Sequence, residues 1–291
     1  MKRIASISAS AAILAAGLSL AVPGSVSLAA STAAGGPARA AVTSAASLPT
    51  ITVAMTGKKI TVGGALQSGG VRIVSTVTGE PQGEPIFVLL NPGVTLNQFF
   101  KLLQRAAADP NNLYGIASIV TDTTVGRGKT STIQADLKPG QYVALDVAGN
   151  GQPPLTPFTI AKAASPAKLP APLATIAAIE FGFRGPGKLH DGELVRFANH
   201  GFLVHMIDFG RARSAADARK AARLLRQGKL RQVGPLITTS GTFAGPLSHG
   251  AFQQQVIRNR PGYYVLVCFM ETQDGRDHIV LGIIASAPAL G

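Results

Sequence analysis

Two stretches of this chain present the same sequence of features in the same order, and such a repeat constrains the fold more tightly than composition does. Residues 71–90, "VRIVSTVTGEPQGEPIFVLL", match 194–210, "LVRFANHGFLVHMIDFG", as strand, polar turn, strand. Next come "TLNQFFKLLQRAAAD" and "SAADARKAARLLRQGK", each opening on an N-cap residue, Thr95 or Ser214, with apolar residues at helical spacing. Then "LKPGQYVALDV" aligns with "NRPGYYVLVCF", a Pro-Gly turn, an aromatic residue and an apolar strand. The two segments end on "PFTIAKA" and "HIVLGIIASA", each of which reads as a closing β run.

Each copy offers about six or seven short apolar runs between Gly, Pro and Asn turns. That pattern predicts an all-β chain of two tandem Greek-key sandwiches, each with a helical insertion outside the sheets. The expected division is a signal peptide at 1–30, a flexible leader at 31–49, a first module at 50–160, a Pro/Ala linker at 161–173 and a second module at 174–291. The chain is long enough for each module to bury its own core.

The N-terminus sets the expected compartment. Lys2 and Arg3 precede an uncharged Ala- and Leu-rich run ending near Val22, followed by small residues, as in a secretory signal cleaved near Ala29 or Ala30 or after Ala40. No later segment reads as a spanning helix, so the mature chain is expected outside the cytoplasm without a transmembrane segment. The 27 Lys and Arg residues against 14 Asp and Glu predict attraction to an acidic redox partner or an anionic cell-surface polymer. Nucleic acid is not expected, because an exported chain with no Trp and few Tyr offers little stacking surface.

Chemistry-bearing residues are distributed unequally between the copies. All five histidines, His190, His200, His205, His249 and His278, and the single cysteine, Cys268, lie in the second. Asp146 stands in the first copy where Cys268 stands in the second. A soft-metal site, if the chain has one, therefore belongs to the second module.

Here the second module resembles the cupredoxins, the plastocyanin-like blue copper superfamily. "FANHGFLVHMIDF" has the family's Phe, Asn, small turn and strand-opening His, which implies His205 as a ligand. Gly262, Tyr264, Cys268, His278 and Gly282 follow the pattern that supplies the remaining ligands, with Ile283 where the family usually has an axial Met. The resemblance implies one copper ion held by His205, Cys268 and His278, with Ile283 or Met270 at or near the axial position, and a role in electron transfer or copper handling. One thiolate and two imidazoles in a trigonal array hold copper well in both oxidation states. Three departures stand out: nine residues separate Cys268 from His278, Ile283 cannot coordinate, and Met206 follows the first His where many relatives have an Asn that fixes the Cys loop.

Each residue also has a plainer reading. A lone strand cysteine is most often a small buried apolar residue. His190, His200 and His249 sit in turn sequences and are expected at the surface, while Asp208 and Asp277 are read either as partners of a ligand imidazole or as surface carboxylates. Arg219, Lys220, Arg223, Arg226 and Lys229 on the second helix form either a solvated face or a docking patch, anchored by Ala222, Leu224 and Leu225. The alternative to a copper protein is thus a metal-free extracellular binding or adhesion module that uses this basic face. Enzyme readings are disfavoured, since the chain lacks the His-x-His pairs of multicopper oxidases and the common hydrolase and phosphate-binding motifs.

Overall fold

The computed structural model describes residues 47–105, 110–149, 152–186, 188–258, 260–272, 274–281 and 284–290. The expected signal peptide and most of the leader lie outside the described residues. The first half contains β1 (Thr50–Met55), β2 (Ile60–Gly64), β3 (Gly69–Val77), β4 (Gln82–Gly83), β5 (Pro85–Leu90), helix α1 (Leu96–Arg105), β6 (Ala117–Asp122), β7 (Val125–Gly126), β8 (Thr130–Leu137), β9 (Gly140–Asp146) and β10 (Leu155–Ile160). The second contains β11 (Ala174–Ile179), β12 (Gly182–Arg184), β13 (Leu194–Asn199), β14 (His205–Ala212), helices α2 (Ala215–Arg226) and α3 (Leu230–Val233), β15 (Ile237–Leu247), β16 (Phe252–Val256), β17 (Gly262–Val267) and β18 (Ile284–Leu290).

The two halves have one strand order. In the first, β2-β1-β3-β8 faces β10-β9-β5-β6; in the second, β12-β11-β13-β16 faces β18-β17-β14-β15. β1 runs parallel to β3 as β11 does to β13, and the other pairings inside each half are antiparallel. Both halves are therefore Greek-key β-sandwiches, as the repeat predicts. Matching details extend to single hydrogen bonds. After each Pro-Gly turn a tyrosine hydroxyl donates to a carbonyl four residues back, Tyr142 to Lys138 at 2.8 Å and Tyr264 to Arg260 at 2.5 Å.

Both helices start where expected. Thr95 Oγ1 accepts the Gln98 N–H while the Gln98 side chain accepts the Thr95 N–H, a reciprocal cap. Ser214 Oγ caps α2 by accepting the Asp217 N–H at 3.0 Å. Ala218, Ala221, Ala222 and Leu225 form the buried face of α2, with Leu224 only partly buried. Arg211, which shortly precedes the second helical run in sequence, lies on β14.

The sandwiches are fused. β8 and β16 pair antiparallel at Gln134 and Gln254, joining the two outer sheets into one of eight strands, and the Gln254 amide donates to the Gln134 side chain at 3.0 Å. The segment 161–173 is docked along the first sandwich: Gly70 N–H donates to Ala167 O at 2.7 Å, and Pro170 O accepts from the Gln254 side chain at 3.0 Å. Glycine is required where it passes, because a Cβ on Gly69 would lie 2.7 Å from the Pro166 side chain and one on Gly70 2.8 Å from the Leu169 backbone.

Strand alternation explains the cores. On β5 and β9, Phe87, Tyr142 and Ala144 point into the first sandwich. Ile86, Val88, Val143 and Leu145 point outward, yet they are buried in a second cluster with Phe99 of α1 and with Val204, Met206, Cys268 and Met270. "PIFVLL" is apolar throughout because both of its faces are covered. The outward faces of the first sandwich and the end of the second that carries Val204, Met206, Cys268 and Met270 thus share one seam core.

Candidate metal centre

His205 opens β14, and Cys268 directly follows β17. Antiparallel pairing of Asp208 with Val267 sets Ile207 opposite Cys268, so sulfur and imidazole project from the same sheet face. His278 arrives from a hairpin rather than from the terminal strand. Glu271 and Asp277 form an isolated bridge, Thr272 N–H donates to Arg276 O at 2.9 Å, and His278 N–H donates to Met270 O at 2.8 Å. The nine-residue separation from Cys268 is therefore folded back on itself. Val280 and Leu281 N–H both turn to Asp277 O, which keeps 278–281 out of the β ladder. The closing β run read over "HIVLGIIASA" accordingly starts only at Ile284, because the turn that presents His278 takes its first residues.

The three side chains converge. Nδ1 of His278 lies 3.3 Å and Nδ1 of His205 3.7 Å from Cys268 Sγ, and the ring centroids are 4.8 Å apart. One donor atom from each residue lies within 4.8 Å of the others, the one such group among the described residues. All three are buried, with exposures of 1% or less. Bonds of about 2.0 Å to imidazole nitrogen and about 2.3 Å to thiolate, met at a trigonal angle, separate nitrogen from sulfur by about 3.7 Å. The donor set fits a single ion between the three side chains, with one sulfur–nitrogen distance at that value and the other 0.4 Å short of it. A trigonal set of two His and one Cys is the donor set of copper electron-transfer sites.

The surroundings keep the donors in place. Met206 N–H donates to Cys268 Sγ at 3.4 Å. Burial drives the His205 pKa down to about 4, helped by the charge of His278 and opposed by Glu180. Burial also drives the Cys268 thiol up to about 12, against the backbone hydrogen bonds from Met206 and Met270 that favour a thiolate. His205 Nε2 is buried without a hydrogen-bond partner and faces Gly201, where a Cβ would come within 2.5 Å of it. That same point is 2.9 Å from Glu180 Oε1, whose carboxylate accepts the Phe202 N–H.

Of the other residues with an expected role, Met270 is buried in the seam core. Ile283 and Gly282 lie outside the described residues. His190, His200 and His249 are exposed, as their turns predict. The carboxylate beside a ligand ring is Glu180, not Asp208 or Asp277: Asp208 is buried beside Thr242 on β14 and Asp277 is exposed. No sequence signal marks Glu180, since it sits in the turn between β11 and β12 and reaches His205 only through the fold.

Two further sets of residues carry no signal in the sequence. Asn111, on a 3-10 turn of the first sandwich, accepts the Val204 N–H at 2.7 Å and donates to Glu271 O at 3.1 Å. Asp122, Glu84 and Asp208 bring three carboxyl groups into the seam, where both oxygens of Asp122 are buried without hydrogen bonds. Burial holds the Asp122 pKa well above its usual value, with the charges of Glu84 and Asp208 adding to the shift; those two are raised to about 7.

No protein-family model and no curated protein matches the chain. Among solved structures it is similar to reduced auracyanin from the photosynthetic bacterium Roseiflexus castenholzii, at 20% identity over 34% of this chain and 85% of that one, with a TM-score of 0.23. It is similar to a multicopper oxidase at 12% identity, covering 83% of this chain and 88% of that one, with a TM-score of 0.23. A copper nitrite reductase from Nitrosomonas europaea shows 11% identity over 84% of each chain, again with a TM-score of 0.23. At these scores the likenesses carry no weight of their own, and the strand order and ligand geometry stand without them. Two sandwiches of one Greek-key order, with a cysteine sulfur and two imidazoles gathered at the end of the second, make this a cupredoxin-like chain whose His-Cys-His cluster lies in its second copy.

Proposed function

We propose that the protein binds one copper ion through His205, Cys268 and His278 and serves as an electron carrier or copper handler outside the cytoplasm. The observation that carries this reading is the approach of both Nδ1 atoms to one buried sulfur. Bound copper would supply a one-electron couple. The chain's own contribution is to exclude water, to aim both rings at the sulfur and to hold the sulfur with the Met206 N–H. The basic residues 2–3 and the apolar run after them support an exported setting, and no helix among the described residues is long and apolar enough to cross a membrane.

The basic helix supplies a route to a partner. Arg219, Lys220, Arg223, Arg226 and Lys229 are all exposed, while the opposite face of α2 packs on Ile279, the residue after His278. An acidic redox partner docked there would sit over the segment that bears a ligand. The same exposed cations favour a second reading, a metal-free module that uses this face to hold an anionic polymer.

Titration with Cu(II) separates the two. Copper binding gives an intense visible thiolate charge-transfer band saturating at equal amounts of metal and protein, and the band disappears in Cys268→Ser. Absence of stoichiometric uptake, together with salt-sensitive binding to a polyanion that Cys268→Ser leaves unchanged, would instead establish the metal-free module.

A further inference from the structure

The place after His205 is taken by Met206, so no side chain there ties the His205 strand to the segment after Cys268. The tie comes from the other sandwich. Asn111 lies on the turn Pro110–Leu113, is 5% exposed, and stands beside Leu113 and the seam core. Its carbonyl oxygen accepts the N–H of Val204, the residue before His205. Its amide nitrogen donates to the carbonyl of Glu271, three residues past Cys268. Glu271 in turn bridges to Asp277, the residue before His278. A single side-chain amide therefore holds the backbone beside His205 and beyond Cys268 directly, and that of the His278 segment through the Glu271 bridge.

We propose that Asn111 is a positioning residue for the ligand set of the neighbouring sandwich: its amide clamps residue 204 to residue 271 and fixes the separation of His205 from Cys268 and His278. The proposal rests on the copper reading and deepens it, because it gives the ligand-free sandwich a part in the site. An amide is suited to this place because it offers one acceptor and one donor in a rigid plane, matching an N–H on one segment and a C=O on the other. A carboxylate would keep the first bond and set an oxygen against the Glu271 carbonyl.

The test uses the full chain with Asn111→Ala and Asn111→Asp beside the parent. In metal-free protein, exchange of the Val204 amide hydrogen accelerates about fivefold or more in Asn111→Ala and stays slow in Asn111→Asp, which retains the acceptor. In Cu(II) titrations against a competing chelator, affinity falls about 10- to 100-fold in Asn111→Ala, with a shifted charge-transfer band, and falls in Asn111→Asp as well. If Asn111→Ala does not fold, Asn111→Asp carries the test. Unchanged affinity and an unchanged band in folded variants overturn the proposal. A parent protein that shows no thiolate band overturns the copper reading itself and the positioning role with it. Val204 exchange then shows whether the clamp survives as a purely structural tie.

Discussion

Asp146 and Cys268 occupy one position in the two sandwiches. Each directly follows or ends the strand after a Pro-Gly-x-Tyr turn, and each accepts a backbone N–H from the facing strand, Asp146 Oδ1 from Glu84 at 2.9 Å and Cys268 Sγ from Met206 at 3.4 Å. The paired registers agree, with Pro85 opposite Asp146 and Ile207 opposite Cys268. Gly83 consequently stands where His205 stands, and a Cβ there would meet Met55 Sδ at 2.9 Å. The first sandwich keeps the scaffold of a site while a methionine fills the room for its ring. Asp146→Cys is therefore expected to add a thiol but no second metal: copper uptake measured by elemental analysis stays at the parent ratio.

Gly201 makes a sharper demand. A methyl group there would press on His205 Nε2 from 2.5 Å and on the Glu180 carboxylate from 2.9 Å, so the ring must leave its present position beside the sulfur. Gly201→Ala should weaken Cu(II) binding at least about tenfold, read by chelator competition, and cost the metal-free protein about 1–3 kcal/mol through overpacking.

The seam carboxyls set a pH dependence. Asp208 and Glu84 titrate near 7 in the fold instead of 3.8 and 4.5, and Asp122 is likewise held well above 3.8. A carboxyl whose pKa is raised by folding leaves the native state holding more protons than the unfolded chain. Its stabilising contribution is complete below about pH 4 and is lost as pH rises through about 7. The thermal midpoint should thus decline between those values, and Asp122→Asn should flatten the decline and raise the midpoint by several degrees at about pH 7.5. Scanning calorimetry across the range decides it; a variant as pH-sensitive as the parent would contradict the assignment.

The twin tyrosines offer an internal comparison. Tyr142→Phe and Tyr264→Phe each delete one hydroxyl donated to a carbonyl four residues back. Each should cost about 0.5–1.5 kcal/mol in denaturant unfolding, since each removes one net hydrogen bond. A loss confined to one of the two would mean that the corners are not equivalent.

Much of this is legible in the sequence because it is local. The caps at Thr95 and Ser214, the Pro-Gly-x-Tyr turns and the alternating strands are written within a few residues of one another, and two copies of each reinforce the reading. The ligand set is legible through a spaced motif. What stays hidden depends on which distant surfaces meet. Gln134 and Gln254 read as ordinary strand residues until their strands pair. Asn111 sits in a turn with no unusual neighbours, and Glu84, Asp122 and Asp208 are separated by tens of residues. Even "PIFVLL" announces only that both faces of a strand are covered, not that a second sandwich covers one of them.

The fusion of the two sheets also bears on how the molecule is made. Ribosomal synthesis delivers residues 50–160 before any ligand residue exists. The wall of Ile86, Val88, Val143 and Leu145 can be folded, with Asn111 poised on its rim, while the later half is still emerging. In that order of folding the half that carries the histidines would condense on a mould already cast, and the loops bearing His205, Cys268 and His278 would set against a partner that travels on the same polypeptide.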